Sequence, residues 1–184
     1  MQRHRHGSLT QPGAVHGPLD RVVPRLVDRR EQLFARREQQ RVREYIELGI
    51  MEGARLVTGG PGIPPGLESG NYVTPTVFAD VDNSMRIAQE EIFGPVLVVV
   101  AYDDEDDAVR IANDSEYGLS AGVWSADEDH ALAVARRLRT GTVTVNGAAI
   151  SFDGPFGGYK AGGIGREYGA AGLAQYVELK TVTV

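Results

Sequence analysis

Cysteine is absent from all 184 residues. That excludes disulfide bonds, thiolate metal centres and covalent catalysis by a thiol from within these residues. Long apolar runs are missing too. The longest, Val96 to Tyr102, is far shorter than the roughly 20 residues a membrane-spanning helix needs. Residues 1–15 lack the apolar stretch of a secretory leader, so a cytoplasmic location is expected. No lysine occurs in residues 1–45. What remains is ordinary: 42% hydrophobic and 24% charged residues, enough for one sizeable globular domain.

The net charge of −6 is unevenly spread. Residues 1–45 carry ten arginines against five acids, net +5, and the remainder carries net −11. Such a split can mark a nucleic-acid-binding arm. Here the arginines alternate with acids after Asp20 and are not interleaved with aromatics, so neither nucleic acid nor membrane is an expected partner. Met1 to Pro18 shows no periodicity and reads as loop or disorder. The pair His4 and His6 has no third ligand nearby and reads as solvated, so no metal is expected.

From Leu19 to Gly53 the spacing is helical, with Leu33, Arg37, Val42, Tyr45, Ile46 and Ile50 on one face and Gly53 as the stop. Arg55 to Thr58 reads as a short strand. Gly59 to Gly70 reads as an exposed loop, and Tyr72 to Val81 as a strand that Pro75 assigns to an edge or a bulge. Asn83 to Glu90 leads into Gln89-Glu90-Glu91-Ile92-Phe93-Gly94-Pro95-Val96. There a carboxylate and a ring at the mouth of a strand suit a ligand with hydroxyls and a flat ring. The alternative puts Phe93 in the core and both acids in solvent.

Strands at 96–102, 119–124 and 142–146 alternate with helices at 104–113 and 125–138, the second opened by a capping box of Ser125 and Glu128. This order predicts an α/β fold with a parallel sheet and flanking helices. No Gly-x-Gly-x-x-Gly follows any of these strands, so the phosphate-binding half of a dinucleotide site is not expected here. Residues 147–165 are dominated by glycine, with Ala148 and Ala149 nearly as small. Phe152, Phe156, Tyr159 and Lys160 within the stretch argue against a flexible linker. A short helix over 170–175 and a strand over 176–184 complete the chain.

Glu91-Ile92-Phe93-Gly94-Pro95 resembles the Glu-x-Phe-Gly-Pro motif of the aldehyde dehydrogenase superfamily. Pro155-Phe156-Gly157-Gly158-Tyr159-Lys160 and Gly163-Ile164-Gly165-Arg166-Glu167 resemble that family's C-terminal signatures, in the family's order. The resemblance runs from about Arg41 to Val184 and covers only the C-terminal part of a full-length member. It divides the chain into a divergent segment, 1–40, and a partial catalytic domain, 41–184. Upstream, Val23-Pro24-Arg25-Leu26 stands where the family has an Ile-Gly-Pro-Leu turn. Richness in Arg, Pro, Gly and His without Lys is what a misread GC-rich frame produces.

The resemblance implies NAD(P)-dependent oxidation of aldehydes to carboxylic acids by a cysteine thiolate. It assigns Glu91 to the nicotinamide ribose, Phe93 to the nicotinamide end and Phe156 to the substrate tunnel. Glu167 matches a carboxylate behind the thiol, a proton relay or else a structural acid paired with Arg166 or Lys160. Asn146 and Lys160 are structural. The nucleophile, the general-base Glu and the oxyanion Asn have no counterpart, so the chain alone is expected to be inactive and to bind NAD or NADP weakly or not at all. The last strand belongs to a flap that crosses a subunit interface in the family. It implies homo-oligomers, or a non-catalytic module that joins full-length subunits.

Overall fold

A computed structural model describes residues 31–184. The expectations for 1–18, for the His4/His6 pair and for helix over 19–30 lie outside the described residues. The chain falls into two compact units that divide between Val100 and Ala101.

The first unit is built on helix α1, Arg36–Met51. Its buried residues Gln39, Val42, Ile46 and Gly49 recur at three- and four-residue spacing, which places them on one face. Before it, Glu31–Gln32 forms a short strand, β1, rather than more helix. β1 pairs antiparallel with β3, Tyr72–Val73. The helix ends as its sequence dictates. Gly53 sits at φ +90°, the Gly53 N–H donates to the carbonyl of Ile50, and the Ala54 N–H donates to that of Gly49. Those two bonds are the glycine-terminated helix stop.

The main sheet of this unit runs β2–β4–β5, with β2 at Arg55–Thr58, β4 at Thr76–Ala79 and β5 at Val96–Val98. β2 is antiparallel to β4 and slips register between Leu56 and Thr58, whereas β5 is parallel to β4. Pro75 had pointed to an edge or a bulge, yet β4 is central and all four of its residues are buried. The reason is that Pro75 stands just outside the strand, where its missing N–H removes no ladder bond. Phe78 and Ile46 are fully enclosed and Val42 is nearly so; with Val73, Ile87 and Ile92 they form the core. Two glycines let this core close. A Cβ on Gly49 would lie 3.0 Å from the Phe78 ring, and one on Gly94 would lie 2.5 Å from a Val42 methyl.

A polar cluster ties helix α2, Arg86–Gln89, to α1. The Glu90 carboxylate accepts from Arg86 at 2.7 and 2.9 Å and from the Tyr45 hydroxyl at 2.6 Å. Arg86 first, then Tyr45, holds the Glu90 carboxyl down to about 2. Glu90 in turn holds the Tyr45 phenol above its usual range. The Glu52 carboxylate accepts from the N–H groups of Arg86 and Ile87.

In the second unit helix α3, Glu105–Asn113, is capped by Asp104, whose side chain accepts from the Asp107 N–H. Strand β6, Ser120–Val123, pairs parallel with β7, Thr142–Val145. Helix α4, Glu128–Ala135, lies between them in sequence. Its cap is Asp127, which accepts from the His130 N–H, not Ser125 with Glu128. Ser125 is already committed: its N–H donates to Asn146 and its hydroxyl accepts from the Asp127 N–H. The helix ends at Ala135, and looser turns carry the chain on to Leu138. Arg137 reaches Glu105 at 2.7 Å and also contacts Asp106.

The single sheet expected from strands at 96, 119 and 142 is therefore not formed. β5 belongs with β2 and β4, and β6 with β7. Both groups contain a parallel pair, so an α/β architecture holds with smaller sheets than expected. Alternation of strand and helix in the sequence fixes parallel crossovers but not which strand neighbours which. Helix α5, Gly169–Leu173, matches expectation, but no strand forms over 176–184. Val177 is extended and the stretch is exposed, with no ladder partner among the described residues.

Replacing Phe78 by Ala removes the largest enclosed side chain and should destabilise the first unit by about 3–5 kcal/mol, read as a lower urea midpoint. Replacing Glu90 by Gln should act through pH. A depressed carboxyl pKa contributes stability above its unfolded value of 4.5, and that contribution is lost as pH falls toward about 2. The urea midpoints of wild type and Glu90→Gln should differ by a constant amount above pH 5 and converge between about pH 4.5 and 2. A difference that does not change with pH would show that Glu90 is not held this way.

Candidate functional site

Two patches contain the residues singled out by the sequence, one in each unit. In the first, Glu90, Glu91, Ile92 and Phe93 alternate in their environments. Glu90 is tied to Arg86 and Tyr45, and Ile92 is buried. Glu91 and Phe93, two positions apart, are both exposed, Phe93 by 71%. Glu91 and Phe93 are thus open to solvent on either side of the buried Ile92. The core alternative for Phe93 is thus overturned.

The backbone here is pinned. The Arg41 guanidinium donates to the carbonyl oxygens of Ile92, at 3.1 Å, and Glu91. Phe93 itself adopts φ +61°, in the left-handed region that a bulky residue occupies only when its surroundings compel it. Gly94 pressed against Val42 and Ile92 buried in the core are those surroundings. Among the described residues the Glu91 carboxylate makes no hydrogen bond or ion pair, so both its oxygens are open to accept from hydroxyl groups. The sequence marked Glu91 and Phe93 but missed Arg41, which binds the Glu91 and Ile92 carbonyls, and Tyr45 and Arg86, which bind Glu90. The four-residue spacing of Arg86 and Glu90 was the available signal.

In the second patch, Phe156 and Glu167, eleven positions apart, are joined by a two-way backbone bridge, with bonds of 2.8 and 2.6 Å. The Phe156 ring packs against Tyr168 at 5.8 Å, and Tyr168 meets Phe152 edge-on at 5.0 Å. Phe156 also lines a cavity of about 440 Å³ whose wall includes Leu132, Val143, Val145, Ile150 and Pro155. This wall is mostly apolar and suits a hydrocarbon chain or ring.

Glu167 is not paired with either cation proposed for it. Arg166 donates to the carbonyls of Gly158 and Gly165, and Lys160 donates to those of Asn113 and Ser115, both at 2.8 Å. Asn113 ends α3 and Ser115 lies just past its cap, where a cation also offsets the helix dipole. Lys160 is thus structural, as expected. So is Asn146: its amide accepts from the Ser125 N–H at 2.9 Å and donates to the Ser125 carbonyl at 3.0 Å, extending the β6–β7 ladder by one side chain. No grouping of His, Cys, Asp and Glu that could hold a metal ion occurs among the described residues. No helix among them is long and apolar enough to cross a membrane.

The sequence profile of the aldehyde dehydrogenase family matches residues 32–182. The chain is 49% identical over 150 residues to a putative aldehyde dehydrogenase of Staphylococcus saprophyticus, covering 82% of this chain and 32% of that protein. It is 51% identical over 145 residues to the 3-succinoylsemialdehyde-pyridine dehydrogenase of a Pseudomonas species, covering 79% and 30%. Its structure resembles that of a Mycobacterium tuberculosis aldehyde dehydrogenase complexed with NAD+, with a TM-score of 0.76 and 52% identity over 79% of this chain and 30% of that one. It also resembles a Pseudomonas syringae aldehyde dehydrogenase mutant complexed with NAD+ and octanal, with a TM-score of 0.75 and 54% identity over 77% and 29%. The chain spans about a third of the length of the relatives it matches. With the motifs, the match along most of the chain and the fold in agreement, this chain belongs to the aldehyde dehydrogenase family.

Proposed function

We propose that this chain supplies the nicotinamide-ribose and substrate-tunnel parts of an NAD(P)-dependent aldehyde dehydrogenase in the cytoplasm, and that it does not oxidise aldehydes by itself. The observation that carries this reading is the pairing of an uncommitted Glu91 carboxylate with the exposed, conformationally forced Phe93 ring. These fit the nicotinamide end of a dinucleotide: the carboxylate accepts from ribose hydroxyls, and the ring limits where the nicotinamide can lie. The cofactor, NAD or NADP, supplies hydride acceptance when bound. Phe156 and the apolar wall beside it orient the aldehyde's carbon chain. Among the described residues Glu167 pairs with no cation, and its match to the family carboxylate behind the thiol suits a proton-holding role. A thiol is required to make the hydride transferable, and these 184 residues contain none.

The alternative reading is a non-catalytic assembly module that forms homo-oligomers or joins full-length dehydrogenase subunits. Two unpaired features favour it. In β7 the alternation of a parallel ladder directs the N–H groups of Thr142 and Asn146 to β6 and those of Val143 and Val145 away from it. Residues 177–184 are exposed, with Leu179 at 97% and Val182 at 75%, and alternate as a strand does. A free edge and an unpaired strand recruit one another between chains.

Calorimetric titration of NAD into the chain tests the first reading. One or two hydrogen bonds to a charged group contribute about 1.5–3 kcal/mol each, which after the cost of immobilising the ligand leaves about millimolar affinity or weaker. Glu91→Ala should remove that residual binding, and aldehyde plus NAD should yield no NADH above the blank. Micromolar binding, or turnover that Glu91→Ala abolishes, would contradict it. Sedimentation tests the second. The full chain should form dimers or larger species, and a version ending at Gln175 should not; monomers in both cases would rule the module out.

A further inference from the structure

The asparagines of the chain are Asn71, Asn83, Asn113 and Asn146, and only Asn146 precedes a glycine. Strand β7 ends there. Asn146 at φ +51° and Gly147 at φ +73° form the centre of a turn. The Ala148 N–H closes it by donating to the Val145 carbonyl at 3.0 Å. Positive φ at both central residues marks a type I′ turn, for which Asn-Gly is a preferred pair.

The same pair of residues is chemically reactive. Attack of the Gly147 nitrogen on the Asn146 side-chain carbon closes a five-membered ring within one chain, which needs no pocket and no partner. Gly147 has no Cβ to crowd that nitrogen. Its N–H donates to no acceptor among the described residues, so no hydrogen bond has to break to free it. What restrains the reaction is Ser125. The Asn146 Oδ1 accepts from the Ser125 N–H at 2.9 Å, and Nδ2 donates to the Ser125 carbonyl at 3.0 Å. The carboxamide must leave Ser125 before its carbon can meet the Gly147 nitrogen. This pair stands at the end of the β6–β7 ladder, and the ends of elements open at the least free-energy cost.

We propose that Asn146 is a site of spontaneous deamidation, and that its conversion unlocks the end of the β6–β7 ladder. The Gly147 nitrogen gives its proton to hydroxide and bonds to Asn146 Cγ. The Cγ–Nδ2 bond breaks, and Nδ2 takes a proton from water and leaves as ammonia. Water then adds to one carbonyl of the cyclic imide. Breaking the Cγ–N bond leaves aspartate at position 146; breaking the bond from the main-chain carbonyl carbon leaves isoaspartate. The net change is amide plus water to carboxylate plus ammonium, with no oxidant, reductant or cofactor. Either product fails at Ser125. A carboxylate can accept from the Ser125 N–H but has nothing to donate to the Ser125 carbonyl, so two oxygens oppose each other. Isoaspartate also lengthens the main chain by a methylene, which the turn cannot hold. The Ser125 hydroxyl accepts from the N–H of Asp127, the cap of α4, so the loosened end adjoins that helix.

The test incubates the full chain in mildly alkaline native buffer and follows each asparagine by peptide mass mapping. Asn146 should convert severalfold faster than Asn71, Asn83 or Asn113, and isoaspartate should form beside aspartate. Asn146→Gln, whose longer side chain must close a larger ring, should stay unconverted over the same period. Asn146→Asp should have a lower urea midpoint than wild type, read by the fluorescence of Trp124, the chain's only tryptophan. Asn146 converting no faster than the other three would overturn the site. Aspartate without isoaspartate would also overturn it, because direct hydrolysis forms no ring. A wild-type urea midpoint in Asn146→Asp would overturn the unlocking.

Discussion

The bond set around Glu90 determines what its neighbours can do. One carboxylate holds a helix side chain, Tyr45, and the guanidinium of Arg86, and so fixes the stretch that begins at residue 90. With Glu90 anchored and Ile92 buried, the backbone has no freedom to turn Glu91 inward. The two adjacent glutamates thereby acquire different roles from their surroundings alone. One is held ionised by its partners, and the other is left with open acceptors. Gly94 then brings the chain against Val42, and Phe93 absorbs the resulting constraint in its backbone. The geometry of this patch is set by the core behind it.

How much of this the sequence disclosed depended on the range of the interactions. Local signals were readable. The stop at Gly53, the acids opening α3, the strands β6 and β7 and the exposure of Glu91 all follow from residues within a turn or two of one another. The match of motifs also led directly to the family. Signals that depend on competition between distant groups were not readable. Ser125 has the spacing of a helix cap, but Asn146, twenty-one positions away, takes its N–H, and the cap passes to Asp127. Pro75 has the composition of an edge residue, but it sits one residue before the most buried strand in its unit. Glu167 has two cations close by in sequence, and both are drawn off by carbonyls. Partner choice in sheets was the largest gap, since residue patterns give a strand its faces and not its neighbours.

Glycine in the second unit works through absence of bulk. A Cβ on Gly141 would fall 1.5 Å from the Gly157 carbonyl oxygen, and one on Gly118 would fall 2.7 Å from that of Arg139. The loop that carries Phe156, Tyr159 and Lys160 can approach the strands only because these positions are empty. Tyr159 and Gly141 both donate their N–H groups to the carbonyl of Gly118, so one backbone oxygen holds a loop and a strand together.

That arrangement bears on the order in which the unit assembles. Lys160 joins Asn113 across 47 positions and Ser115 across 45. Contacts so far apart along the chain confer nothing until the intervening segment has closed, and each doubling of that span costs about 0.6 kcal/mol more in closure entropy. The two helices can form early from local caps, whereas the loop must wait for β6 and β7 to pair beneath it. Contact order therefore places the loop around Lys160, with its aromatic patch, after the helices in assembly. The loop and patch are also the parts whose amide protons should exchange first with solvent, since opening there leaves the helices intact.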